Sequence, residues 1–564
     1  MTDPDYNLLD EAWIPVRLLD GSVEKMGLLD VFRNTNEITD LACELPTQKI
    51  AIQRILLAVC YRVKPSHDDA EGEPLNADED WLVQWRAGAP TDEALVYLER
   101  WRDRFFLFGG QRPFMQAPDL RTAKDAVSGL EKIIADIPNG EQFFTTRHTR
   151  AIARIPADEA ALWLVHAHAY DPSGIRSGAV GDPDVKGGKG YPIGPSWCGQ
   201  TGTVLLKGKN LDETLVLNLV PFDSGPLQGP DPAGDKGACT WEAEDIETAQ
   251  RRDFSRDGDP DPAGISIPRL FTWHSRRIRL VGDRSGVTGV VLAQGDKLAP
   301  QNMQRFEPMS LWRYSMPQSK KFREHTYMPR KHEPGRALWR NLPGILPGLG
   351  VIEGFDKGKQ REFLPAQTLG FHEGIEQGPG AEYPVRVRVE AVGVTYGPQE
   401  ATFEDLYHDE LSFSTALLKE KGEELPHLID GQVRCTEQVA SRVGIFAANL
   451  ARAAGQSGDG AGDGARDSAR EQFFALVDDP FRRWLARLDG DSDVDAVRGE
   501  WHGEVRRIVR LLAKRLVDEA PPSATIGRET KGGFMSVGIA ENILWAAVNK
   551  TMPRTEDQLK EGEK

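Results

Sequence analysis

Apolar and polar positions follow two different rhythms along this chain. Up to about residue 412, short apolar runs alternate with Gly, Pro and Asp. Beyond it, long stretches repeat at three- and four-residue spacing. In the first region, 6–19 (YNLLDEAWIPVRLL) alternates weakly and predicts a strand, and GLLDVF (27–32) follows. Residues 44–63 (ELPTQKIAIQRILLAVCYRV) carry apolar positions at helical spacing behind Pro46, which predicts a buried helix. The acidic stretch 68–80 reads as a loop. Residues 81–104 read as helical and broken at AGAPT (87–91), and FFLFGGQRPFMQ (105–116) as an aromatic core strand or turn. A short helix is expected at 157–169, and strands at 203–206 and 213–220. The Pro/Gly/Asp-rich stretch 223–264 reads as a mobile insertion. RLFTWHSRRIRLVGD (269–283) and TGVVLAQGD (288–296) predict strands with GDR and GDK turns. VRVRVEAVGVTYGP (385–398) alternates most cleanly and leads into a turn at 397–399.

The second region predicts amphipathic helices at 422–454, 467–489, 493–519 and 536–550, the first two joined by a flexible GQSGDGAGDGARD (455–467). Four such helices with these connections read as an antiparallel bundle. The expected fold class is therefore α+β: a mixed α/β N-terminal body over 1–405, then a C-terminal antiparallel four-helix bundle over 406–564. No internal repeat is evident.

Composition narrows the function classes. The chain has 564 residues, 40% hydrophobic and 27% charged, with a formal net charge of −17. That balance fits a globular protein of two or more domains. It disfavours a stand-alone nucleic-acid binder, which is usually basic. No run of about 18 apolar residues predicts a membrane span, and MTDPDYNLLDEAW does not resemble a signal peptide. Five scattered cysteines without a CxxC argue against a disulfide framework or zinc finger. A cytoplasmic location is expected.

Three stretches stand out from the acidity, two of them basic and one glycine-rich. Residues 142–156 carry Arg147, Arg150 and Arg154 with no acid, and 171–198 are rich in Gly and Pro with Lys186 and Lys189. Glycine lets backbone approach a ligand, and Lys and Arg seek phosphate. Residues 313–340 hold eight Lys or Arg against Glu324 and Glu333, with Trp312, Tyr314, Phe322, Tyr327 and Trp339 in or beside them. Such aromatics can stack on bases, although a solvated face has the same composition. No phosphate loop, GxGxxG, HExxH or GxSxG occurs. One candidate metal cluster remains, His166, His168 and Asp171, but residues two apart on a helix point to different sides. No catalytic residue, metal or cofactor is expected; the pattern is that of a subunit that binds.

At this point a family resemblance enters. NLLDEAWIPVRLLDG, ELPTQ, QRPFMQ and VGVTYGPQEATFEDLYHDEL, in that order, resemble the CasA family, the large subunit of the type I-E CRISPR Cascade complex. The likeness runs nearly end to end. It implies a non-catalytic subunit that works with other Cascade subunits and the 5′ handle of the CRISPR guide RNA. It implies reading of a protospacer-adjacent motif on double-stranded target DNA, help in opening the duplex, and docking of a helicase-nuclease. Protein reads the motif and base pairing reads the sequence, as in other RNA-guided effectors.

The resemblance also places site residues. The family's glycine loop resembles Ser173, Gly174, Ile175, Arg176, Ser177 and Gly178, with KGGKG (186–190) as a rival. Its lysine finger resembles Lys297, which an ordinary turn would also explain. Its wedge resembles Gly397, Pro398, Gln399, Glu400 and Ala401. Its loop toward RNA and neighbouring subunits resembles 144–154, with Phe144, Thr145, Thr146 and Arg147 foremost. Arg276, Arg277, Lys320, Lys321, Arg323, Arg330 and Lys331 are expected to track phosphates. Two alternatives stand beside this reading: a purely structural RNA- and protein-binding subunit, and a metal-dependent hydrolase built on His166, His168 and Asp171.

Overall fold

Pro46, with no N–H to lose, opens the helix Pro46–Val63, and its apolar residues are buried along nearly its whole length. The computed structural model describes residues 3–65, 67–68, 72, 75–137, 145, 152–243, 253–254, 265–346, 349–375, 386–418 and 424–554. Within them the chain divides into two compact units. One comprises 1–336 and 350–410; the other comprises 337–349 and 411–564.

The first unit mixes small sheets with helices. Pro46–Val63 packs against Ala157–Tyr170 and against the short helix Ile267–Phe271. The cleanest alternating segment forms the strand Arg386–Tyr396, which lies between Phe403–Ser414 and Thr203–Lys207 in a three-stranded sheet. Arg276–Asp283 and Gly286–Gln294 form an antiparallel hairpin, closed where GDR predicted a turn. Phe105 and Phe114 stack at 5.1 Å in the core, as the aromatic stretch suggested.

Five local expectations change, one being that the stretch 269–283 begins within the helix Ile267–Phe271 and becomes a strand only from Arg276. The stretch 6–19 forms two strands, Asp5–Asn7 and Ile14–Leu18. The acidic loop ends early, because the Asn76 side chain accepts from the Asp78 and Glu79 amides and starts the helix Ala77–Ala87. Residues 213–220 are no strand: Asn210 caps the Glu213 amide, and Leu211–Asn218 is a buried helix. A short apolar run has no period long enough to separate the two states. The first half of the supposed mobile insertion is packed. Cys239 and Trp241 are buried, and Glu242 receives Arg62 and the Tyr97 hydroxyl at 2.6 Å.

The second unit is helical. Glu424–Ala454 touches Asp463–Arg487, Val494–Asp518 and Val537–Thr551. Its core is aromatic: Trp339 stacks on Phe481 at 4.2 Å, and Phe481 meets Trp501 edge-on at 5.0 Å. The fold is thus mixed α+β with a C-terminal set of four long helices. No helix among the described residues is long and apolar enough to cross a membrane.

Candidate nucleic-acid interface

The helix Ala157–Tyr170 stops at Asp171, whose amide still reaches the Ala167 carbonyl at 3.1 Å. From there the chain makes an excursion and returns at Ser196, whose amide meets the Asp171 carbonyl at 2.9 Å. Inside the excursion Arg176 pairs with Gly190 and Ser177 with Lys189, and the Gly178 amide donates to the Gly188 carbonyl at 3.0 Å. SGIRSG and KGGKG are therefore two arms of one hairpin. The arms close tightly at Gly178, where a Cβ would lie 2.8 Å from the Gly188 carbonyl; Gly187 and Gly188 turn the tip at φ +59° and +73°. Lys186 and Lys189 are exposed on it. Of the two bulky residues within the first arm, Ile175 faces solvent at 53% exposure. Arg176 turns inward, donating to Asp171 Oδ2 at 2.6 Å and to the Pro172 carbonyl at 2.7 Å.

The wedge residues sit in the turn joining Arg386–Tyr396 to Phe403–Ser414, closed by the Gly397 amide on the Thr402 carbonyl at 2.9 Å. Gln399 and Glu400 both take left-handed backbone, at φ +59° and +56°. Each such non-glycine residue costs about 1–3 kcal/mol and persists where its surroundings over-determine it. Pro398, Gln399 and Glu400 are exposed. The Ser173 amide donates to the Glu400 carbonyl at 2.8 Å, so the glycine hairpin and the turn are hydrogen-bonded to each other. Lys331 joins them from the basic run, 3.3 Å from Glu400 Oε1 and 5.2 Å from the centre of the Tyr396 ring.

The other predicted residues scatter. Lys297 is half-buried in a two-residue strand after the Arg276–Gln294 hairpin, and the hairpin's tip lies elsewhere, at 283–286. Arg276 and Arg277 are corrected from phosphate contacts to core groups. Both are 1% exposed, bound to Asp171 at 2.5 Å and Asp296 at 2.7 Å. In the 313–340 run, Lys320, Lys321 and Arg323 are exposed around the short helix Met316–Phe322. Arg330 lies over the Phe363 ring at 4.2 Å. The expected stacking platform fails, because Trp312, Tyr314, Tyr327 and Trp339 are buried. Phe144, Thr146 and Arg147 lie outside the described residues; Thr145 is half-buried.

The histidines do not converge. His166 Nε2 meets Thr47 Oγ1 at 3.0 Å, and His168 Nε2 meets the Met115 carbonyl at 2.9 Å. Burial lowers them to about 3 and about 4, so both are neutral near pH 7. Asp171 is engaged by two arginines. Among the described residues, the group with ligand atoms close enough for an ion is Glu390, His408 and Glu410. Lys49 and Lys207 already pair with it, with Nζ 2.6 Å from Glu390 and 2.8 Å from Glu410 respectively, and both also reach Asp40 at 2.7 Å. One residue escaped the sequence reading: Gln294, whose side-chain amide donates to the Gly174 carbonyl at 2.8 Å and the Gly190 carbonyl at 3.4 Å.

Comparison with known proteins agrees with this architecture. The family described as CRISPR-associated protein Cse1 matches residues 7–512. The crystal structure of Thermobifida fusca Cse1 superposes with a TM-score of 0.83 at 36% identity, covering 97% of this chain and 98% of that one. Cse1 from Acidimicrobium ferrooxidans gives 0.79 at 26% identity, over 98% and 100%. The CasA/Cse1 protein of Thermus thermophilus is 28% identical over 357 residues, which span 61% of either protein. A chain of a CRISPR RNA-guided surveillance complex shares the fold, with a TM-score of 0.62 at 19% identity over 91% of this chain. A family match over most of the length, together with the same fold from end to end, places this chain in the CasA/Cse1 family.

Proposed function

We propose that this chain is the large, non-catalytic subunit of an RNA-guided DNA surveillance complex, and that the glycine hairpin and the 397–402 turn read a short motif on duplex DNA. The observation that carries the reading is the hydrogen bond from the Ser173 amide to the Glu400 carbonyl. It joins a bare-backbone hairpin to a strained, exposed turn in one surface. A minor groove about 6 Å wide admits glycine backbone and a slender lysine but no helix. Such backbone reads the degenerate code of that groove and tolerates more than one motif. Gln399, at the apex of a proline-stiffened turn, presses on the adjoining base pair, where unstacking a step costs about a few kcal/mol. Lys186, Lys189 and Lys331 meet phosphates. The charge of −17 supports a chain that binds DNA within a complex instead of alone. In that complex its partners are the other subunits, the 5′ handle of the guide RNA, target DNA, and the helicase-nuclease it helps to recruit.

The test is binding of target duplexes with randomised flanking trinucleotides to the guide-loaded complex, with this chain, without it, and with Lys297→Ala. Discrimination that requires the chain supports the reading. Discrimination that survives Lys297→Ala removes only the finger role that the family resemblance gives this lysine. Discrimination indifferent to the chain leaves the structural-subunit alternative.

A further inference from the structure

Resting on the motif-reading proposal, we infer that Asp171, Arg276 and Gln294 form a buried clamp that positions the glycine hairpin against the wedge turn, and that motif discrimination depends on this clamp although its groups are too buried to meet DNA. Register makes the arrangement possible. Arg276 and Gln294 face each other across the antiparallel hairpin. From one side, Arg276 Nε donates to Asp171 Oδ2, and its second nitrogen donates to the Pro172 carbonyl at 3.0 Å and the Gly194 carbonyl at 2.9 Å. Pro172 and Gly194 are the two feet of the glycine hairpin. From the other side, the Gln294 amide holds Gly174 and Gly190 one step further out. One guanidinium and one amide thus tie both arms at two levels.

Asp171 closes the device. Its carboxylate takes Arg276 and Arg176 together, which turns Arg176 inward and leaves Ile175 and the exposed lysines as what the hairpin presents. Ser173, between these levels, makes the bond to Glu400. A hairpin with two residues per strand cannot hold its own register, since isolated hairpins are marginal in water. Carbonyls held by a buried guanidinium gain a charge-assisted bond that water does not contest. The glycine backbone therefore reaches the groove preset, and the ordering entropy is met in folding instead of in binding.

The experiment pairs two readouts on the guide-loaded complex. Amide hydrogen exchange reports residues 173–190. Discrimination is the affinity for a duplex with the preferred flanking motif over one with that motif scrambled, and binding to single-stranded complementary DNA serves as the motif-independent reference. Gln294→Ala is expected to speed exchange at Ser173 and Gly178 about five- to tenfold and to lower discrimination by a similar factor, the scale of one hydrogen bond. Single-strand binding stays unchanged. Gln294→Met, which roughly preserves size but loses the donor, behaves the same; a packing role would leave it intact. Arg276→Lys, if it folds, gives the larger loss. Faster exchange with unchanged discrimination overturns the inference, and so does unchanged exchange. Wild-type discrimination that is the same without the chain overturns the motif-reading proposal itself, and the exchange data then judge the clamp alone.

Discussion

Two buried arginine–carboxylate pairs in the first unit use the same chemistry toward different ends. Arg54 and Glu307 meet side chain to side chain, in two parallel bonds of 3.1 and 2.8 Å, at 2% and 0% exposure. Glu307 is completed by the Trp197 indole at 2.7 Å and the Met309 amide at 3.1 Å. Every partner there belongs to the core. Arg276 and Asp171 are also deeply buried, yet Arg276 turns one whole nitrogen, Nη2, to the carbonyls of a loop. The first pair joins one core group to another, whereas the second fixes an excursion of chain whose large apolar side chains Ile175, Val180 and Tyr191 face solvent and do little to fix it. A buried charge is weak evidence for stability, but the atoms it bonds show what it organises.

The sharpest way to break the comparison is to remove one partner from the first pair. Glu307→Ala strands a guanidinium in the core and is expected to destabilise the chain by about 3–5 kcal/mol in urea denaturation. The double change Arg54→Met with Glu307→Leu recovers most of that loss. Acid bears on the second site, because His166 and His168 lie on the helix that ends in Asp171. Their folded values of about 3 and about 4 lie below the usual 6.5, so the unfolded chain binds more protons there. Stability is fullest well above pH 6.5 and falls as pH drops toward 4, by about 1.6 kcal/mol for each histidine between pH 6.5 and 5. Urea midpoints across that range check it. Asp171→Asn removes the charge but leaves Arg276 its carbonyls; a smaller loss of about 1–3 kcal/mol is expected, with exchange quickened in 173–190 before global unfolding. Gln399→Gly relieves left-handed strain and stabilises by about 1 kcal/mol in the same denaturation series, while motif discrimination declines. Lys320→Ala with Lys321→Ala changes stability by less than about 0.5 kcal/mol and flattens the salt dependence of complex–duplex binding by about one to two units of slope.

Much of this architecture was legible as pattern. Helix 46–63, the 385–398 strand and the four C-terminal helices carry a period long enough to declare themselves. The helix at 211–218 does not, and only Asn210 followed by Asp212 and Glu213 marked its start. The site was legible as composition, not as geometry. SGIRSG and KGGKG stood out as glycine-rich, but two-residue strands leave no alternation to reveal that they pair. RRIRL announced a strand without showing that Arg276 would find Asp171, 105 positions away. Basic residues near aromatics looked like a nucleic-acid surface, and burial reassigned most of the aromatics to the core. Long-range partners decide whether a charge is displayed or used internally, and sequence spacing carries no record of them.

The central claim is that hairpin and turn read the motif as one unit. A double-mutant cycle on motif discrimination, with Gln294→Ala loosening the hairpin and Gln399→Ala truncating the wedge, tests it most directly. The account predicts a coupling of more than about 0.5 kcal/mol between the two changes, carried by the Ser173–Glu400 bond. Effects that simply add, within about 0.3 kcal/mol, would contradict it and make the hairpin and the turn separate contacts.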